Sequence, residues 1–192
     1  MMANGATAVG KPMKNFIIST ALLWAWTPVL MAATPAMESP GIAGEAAIHP
    51  LPHAAYQPQK DATYKVVFAL TKAGDTPQEV SPSLLRVARA VNLYASAGVP
   101  LTHLKFVAVA YGQATGITLD DEHYKGKFGV PNPNLALIHK LKSVGVDVAV
   151  CGQAVPESKF EYGWISPDVT VALSALTTIT VLQQQGYALM PL

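Results

Sequence analysis

VGVDVAVCGQAVPES, residues 144 to 158, decides the fold prediction because a short apolar run in it ends abruptly at a glycine turn. The run has strand length and shows no polar alternation, which is typical of a strand buried on both faces of a parallel sheet. It ends at Cys151, the only cysteine of the chain, and Gly152 follows at once. In open α/β sheets, ligands bind beyond the carboxyl ends of the strands. The thiol is therefore predicted to point into a crevice, and the alternative is an apolar core residue.

Three further stretches have the composition of strands: YKVVFAL at 64–70, LKFVAVAY at 104–111 and YALMPL at 187–192. Each intervening helix is predicted from a polar capping residue, a proline in the first turn and a terminating glycine. The three sets are Ser81–Pro82 with Gly98, Asn132–Pro133 with Gly145, and Ser166–Pro167 with Gly186. This alternation predicts an α/β fold with a single open, doubly wound, mainly parallel sheet and helices on both faces.

Composition limits the possible functions. The chain has 192 residues, of which 51% are hydrophobic and 13% charged, enough for one core. Lys and Arg number 13 against 12 Asp and Glu, and no basic run is present, so nucleic acid is not expected as a partner. Phosphate-binding, dinucleotide-binding, hydrolase and zincin motifs are all missing from the sequence.

The first 36 residues have the layout of a secretory signal peptide, with Met13 as a possible true start. A lysine precedes an uncharged apolar run from Phe16 to Met31, and small residues follow. The run is shorter than the ~20 residues that span a bilayer and contains Pro28, so export is favoured over a membrane anchor. Membrane contact would then be transient, and a periplasmic or otherwise exported location is expected. Residues 37–62, rich in proline and alanine, are predicted to be a flexible leader, and 63–192 the α/β domain.

Residues around the cysteine form the candidate site. Cys151 is the predicted catalytic residue, and the backbone amides of Gly152 and Gln153, together with Lys159, are expected to favour its thiolate over the thiol. Tyr111 and Gly112 end the preceding strand at the same edge, where they either line the pocket or form an ordinary turn.

Two further features leave alternatives open. His123, in a long connection, is either a proton-transfer residue or a solvated side chain. The aromatic cluster FEYGW at 160–164 either covers the thiol or packs against another subunit. No cofactor is expected. No metal site is expected either, because His49 and His53 are separated by two prolines, which disfavour the helix that would align them.

From about Tyr64 onward the chain resembles the DsrE/DsrF-like (YchN-like) family of small sulfur-relay proteins. The matching stretches are DDEHYKGKFGVPNPNLALIHKLKSVGVDVAVCGQAV at 120–155, LSALTTITVLQQQGYAL at 173–189 and the turn YGQA at 111–114. The resemblance implies a compact α/β fold, assembly into homotrimers or homohexamers, and a cysteine that accepts sulfane sulfur as a persulfide. By motif that cysteine corresponds to Cys151, and its partners would be sulfur donor and acceptor proteins or small persulfides.

The single thiol itself favours relay over disulfide exchange, which normally needs a second, resolving cysteine. The alternative is a non-catalytic, oligomeric binding module in which Cys151 is a spectator.

Overall fold

The computed structural model of the protein describes residues 36–192. The signal peptide predicted for residues 1–36 therefore lies outside the described residues, apart from its last position. Among the helices of residues 36–192, none combines the length and the apolar character needed to cross a membrane.

Five strands form one sheet: β1 (Tyr64–Leu70), β2 (Leu104–Ala110), β3 (Asp147–Cys151), β4 (Thr170–Ala172) and β5 (Ala188–Pro191). Their spatial order is β4-β3-β2-β1-β5, and every neighbouring pair is parallel. The predicted α/β fold with an open parallel sheet is confirmed.

Helices connect the strands and cover both faces. They are α1 (Pro82–Ser96), α2 (Asp121–Phe128), α3 (Leu135–Ser143), α4 (Ala154–Glu157) and α5 (Ala175–Gln184). Short 3₁₀ turns occupy Leu101–His103, Gly112–Thr118 and Tyr162–Trp164.

The order of the strands decides which face each helix covers. From β1 to β4 the chain moves one strand at a time in one direction, whereas the step from β4 to β5 returns across the whole sheet. Because parallel crossovers are right-handed, the return connection must lie on the opposite face. Accordingly, α1 and α3 belong to a large apolar cluster on one face, and α5 contributes to a small cluster on the other.

Helix ends differ from the sequence prediction in two places. The first helix is as predicted, with the Ser81 side chain accepting a hydrogen bond from the Leu84 amide. The second begins after Asn134 rather than Asn132, because the Asn132 amide group instead donates to the carbonyls of Ile117 and Leu119.

The third predicted helix start is wrong. Ser166 and Pro167 precede a turn and strand β4, and α5 begins only after Ser174, whose hydroxyl accepts from the Thr177 amide. The cause is tertiary: residues 170–172 pair with the end of β3, and the preference of threonine and valine for strands supports this pairing.

The leader also differs from its prediction as a flexible segment. Glu38 and Ile48 pair as an isolated bridge, and Ile42 inserts into the large cluster with 2% exposure. Asn92, fully buried on α1, accepts hydrogen bonds from the amides of Gly41 and Ile42 and donates to the carbonyls of Glu45 and Ala46. Residues 38–48 are therefore part of the packed structure.

Candidate functional site

Cys151 lies at the topological switch point of the sheet. It is the last residue of β3 and pairs with Ala172, the last residue of β4. The connection after β3 runs on the face of α1 and α3, through Val155 and Phe160 of the large cluster, whereas the connection after β4 enters α5 on the other face. The two connections separate at this pair, and open α/β sheets bind ligands in the crevice formed at such a point.

The Cys151 side chain is more enclosed than the sequence predicted. It is 7% exposed and belongs to the small apolar cluster between the sheet and α5. Its buried companions are Val67, Val109, Ala154 and Ala175, and the partly buried ones are Val107, Tyr111, Ile179, Leu182 and Tyr187. The cysteine therefore occupies the crevice position, but its side chain is buried on the face of the sheet that carries α5.

The turn after the cysteine is held against β4 by its backbone. The Gly152 amide donates to the Ala172 carbonyl at 2.8 Å, so this amide is engaged and does not serve the thiolate as expected. A Cβ at position 152 would lie 2.6 Å from the same carbonyl oxygen, so glycine is required by the close approach of the two strands. The Gln153 side chain adds a hydrogen bond to the Leu173 carbonyl at 3.1 Å.

Tyr111 is the candidate residue that the structure brings to Cys151. It is half-buried, shares the small cluster with the cysteine, and its amide donates to the Leu70 carbonyl at the same edge of the sheet. Gly112 follows with a φ of +58°, a left-handed conformation that favours glycine, and its carbonyl accepts from the Thr115 hydroxyl. Gly112 therefore serves the turn, whereas Tyr111 packs against the small cluster that contains the cysteine.

Lys159 and His123 are not brought to the thiol by any hydrogen bond or ion pair within residues 36–192. Lys159 is exposed, has a φ of +60°, and its amide donates to the Pro156 carbonyl in the turn after α4. His123 lies in the first turn of α2, where its amide donates to the capping carboxylate of Asp120.

The His123 ring is nevertheless held in one orientation. Its Nδ1 lies 2.8 Å from each carboxylate oxygen of Asp120, and the ring stacks on Trp164 with 4.9 Å between centroids. A carboxylate at Nδ1 leaves the other nitrogen, Nε2, as the one available to a ligand. The side chain is 31% exposed, so it is accessible at the carboxyl edge of the sheet.

The aromatic residues of the segment 160–164 have two different roles. Phe160 is buried in the large cluster and Trp164 packs against it, so neither covers the thiol. Tyr162 is 55% exposed, and its hydroxyl donates to the Gly152 carbonyl at 3.0 Å. Only Tyr162 therefore contacts the cysteine turn.

Several residues at the site had no signal in the sequence. Ala172 pairs with Cys151, and the small cluster to which Cys151 belongs is completed by Ala175, Ile179, Leu182 and Tyr187. Apolar residues of this kind carry no chemical signature. Their recognition requires the pairing of β3 with β4. As for metals, no group of three or more His, Cys, Asp or Glu side chains within residues 36–192 is placed to hold an ion.

The comparisons with known proteins concern the α/β domain. The family model described as DsrE/DsrF-like matches residues 65–192. No curated protein matches the chain. Among solved structures, the protein of unknown function MTH1491 from Methanobacterium thermoautotrophicum is similar, with 21% identity and a TM-score of 0.50. The likeness covers 67% of this chain and 99% of that one, and at this identity it concerns the fold alone. Because the family model spans all five strands but for the first residue of β1, and α1 to α5, the chain belongs to the DsrE/DsrF-like family.

Proposed function

We propose that this protein is a sulfur-relay carrier that takes up sulfane sulfur as a persulfide on Cys151 and passes it to an acceptor. Membership of the DsrE/DsrF-like family suggests a sulfur-relay role in general. The observation that supports Cys151 as the carrier is its place as the last residue of β3, paired with the last residue of β4 at the switch point of the sheet. It is also the only thiol that the chain can offer.

The proposed chemistry needs one cysteine and no net oxidant. The Cys151 thiolate attacks the outer sulfur of a donor persulfide, R–S–SH; the donor S–S bond breaks, and RS⁻ leaves with the electron pair. The product is Cys151–S–SH. An acceptor thiolate then attacks its outer sulfur, Cys151 leaves as thiolate, and the acceptor becomes the persulfide. One sulfur atom moves in each step, and the thiolate released balances the thiolate consumed.

The enclosure of the thiol is consistent with a carrier. A persulfide or thiolate on a side chain that is only 7% exposed is less accessible to the peroxides that convert cysteine to its sulfinic and sulfonic acids. Transfer then requires the donor to approach along the rim between β4 and α5, where Gly152 and Gln153 hold the turn. Tyr111, Gly112, Gly152 and Gln153 remain the proposed binding residues.

His123 and Lys159 remain candidates only for a donor or acceptor that extends across the edge of the sheet. His123 is suited to this because Asp120 fixes its ring and leaves Nε2 free to exchange a proton. Donor and acceptor are proposed to be proteins or small persulfides.

We also propose that copies of the chain assemble through α5 and its neighbourhood into a homotrimer or homohexamer. Residues 169–192 contain no charged side chain. Several of their apolar side chains are exposed: Leu173 at 73%, Leu176 at 83% and Val181 at 48%. An exposed apolar surface of this kind marks an interaction site, and its freedom from charge suits burial against a second copy.

Export with removal of residues 1–36 remains a proposal from the sequence alone. It would place the relay in the periplasm or outside the cell. The mass of the protein recovered from the exported fraction tests it, because cleavage after Ala33 or Ala36 yields distinct masses.

Enclosure of the thiol also favours a second candidate function, a non-catalytic binding module in which Cys151 only fills the small cluster. The test that separates the two is intact-protein mass spectrometry after incubation with polysulfide, with Cys151→Ser as the matched variant. The relay predicts a gain of about 32 Da, one sulfur atom, that reductant reverses and that the variant lacks. An unmodified wild-type protein whose folded thiol also resists alkylation would instead support the binding module.

A further inference from the structure

A second concave site lies at the amino ends of the strands, whereas Cys151 lies at their carboxyl ends. It is a groove of about 880 Å³ between residues 49–60, termed the leader loop here, and the C-terminal half of α1. Tyr64, the first residue of β1, lies in its wall, so the groove opens at the amino ends of the strands. A volume of this size is in the range of small-molecule sites.

We propose that this groove binds a small amphipathic anion with an apolar, preferably aromatic, body and a single carboxylate. Its apolar wall is formed by the rings of Tyr64 and Tyr94, whose centroids are 4.6 Å apart, and by Leu93, which is 49% exposed on α1. Tyrosine rings offer a flat apolar surface to an aromatic body, with favourable edge and stacking geometries. Leu51 of the leader loop, 65% exposed, faces the same groove.

The charge of the lining favours an anion. Apart from tyrosines, the titratable side chains that line the groove are Lys60 and His49, and none of its lining residues is acidic. Lys60 forms no ion pair within residues 36–192, so its ammonium is available. Its stem lies against Gly98, where an added Cβ would be 2.9 Å from Lys60 Cε. Lys60 itself is among the residues that line the groove.

The leader loop has a defined shape without contributing a buried side chain of its own. The Gln57 side chain donates to the Leu51 carbonyl at 2.6 Å, and the Gln59 amide donates to the Tyr64 hydroxyl at 2.6 Å. Tyr56, between them, has a φ of +58° while its ring is fully exposed. Tyr56 lines the groove, so its exposed ring is available to contact an apolar body.

Calorimetric titration of the full chain with 1-naphthylacetate and with the neutral 1-naphthylacetamide tests the proposal. We expect the acetate to bind about fivefold more tightly than the amide, which is the gain of one partly exposed ion pair. Lys60→Gln should abolish this preference, whereas Lys72→Gln, an exposed lysine outside the groove, should retain it. Leu93→Glu should weaken acetate binding at least about tenfold, through lost apolar contact and charge repulsion.

The proposal is overturned if neither compound binds at millimolar concentration, if both bind equally to the wild-type chain, or if Lys60→Gln keeps the preference for the acetate. Thermal unfolding of each variant accompanies the titrations. Lys60 is exposed, so Lys60→Gln should unfold at the same temperature as the wild type. If Leu93→Glu unfolds at a lower temperature, the proposal is judged from Lys60→Gln and Lys72→Gln alone. The site does not involve Cys151, so Cys151→Ser should leave the binding unchanged.

Discussion

Cys151 and Ala172 are the last paired residues of β3 and β4, and the chain leaves them toward opposite faces of the sheet. The amide of Gly152 and the carbonyl of Ala172 hold the two ends together at 2.8 Å. The position of the thiol thus depends on a contact between two strands that are separated by 18 residues, 152 to 169.

Gly152→Ala should separate these strand ends. The added Cβ would lie 2.6 Å from the Ala172 carbonyl oxygen, and this atom belongs to the backbone and cannot rotate away. We expect a loss of about 1–3 kcal/mol in the free energy of unfolding, measured by urea denaturation, with faster alkylation of Cys151 in the folded protein. Gly163→Ala is the control, because nothing lies within 4 Å of a Cβ at that position. Equal stability of the two variants would contradict the close approach.

Asn92→Ala should release residues 38–48 from α1. The Asn92 side chain accepts from two amides and donates to two carbonyls of that segment, and it is fully buried. Leaving these groups without partners should lower the free energy of unfolding by about 2–4 kcal/mol. Limited proteolysis should then cut within residues 38–48. Ser96→Ala, which removes an exposed hydroxyl from the same helix, should change neither measurement.

Acid should weaken the tie between α3 and the segment before β4. The hydrogen bond from His139, followed by that from Lys142, lowers the pKa of Asp168 below its usual value. A lowered folded-state pKa contributes stability above the unfolded value, about 3.9, which is lost as the pH falls through the folded value. Asp168→Asn should therefore have a lower urea midpoint than the wild type at pH 7. Below about pH 4 the midpoints of the two proteins should approach each other. A constant difference across this range would contradict the assignment, and His139→Gln should weaken the acid dependence.

Leu176→Lys should disrupt self-association. Leu176 is 83% exposed on α5, within a stretch that carries no charge, so a buried lysine at a subunit interface would be costly. Light scattering after size exclusion should show an oligomer for the wild-type chain and a smaller species for the variant. Leu51→Lys, an exposed leucine in the leader loop, is the matched control and should not change the mass. A monomeric wild-type chain would rule out the proposed assembly.

Local sequence signals sufficed wherever an element was determined by its own residues. The strand runs of β1, β2 and β3 are apolar because both faces are covered, and Ser81 with Pro82 forms a cap without tertiary help. The cysteine position at a strand end also followed from the run and the glycine after it. These features predicted the fold and the central candidate residue.

Other features depend on residues that are far away in the chain, so only the tertiary structure decided them. Strand β4 has only three residues and exists through its pairing with β3, so the Ser166–Pro167 signal was misleading. The side chain of Asn92 orders residues 38–48 through hydrogen bonds over some 50 residues of sequence, and the return to β5 places α5 on the same face of the sheet as the thiol. The sequence determines that a short run is apolar and that a lone cysteine is a thiol. Only the assembled sheet decides which residues lie beside them.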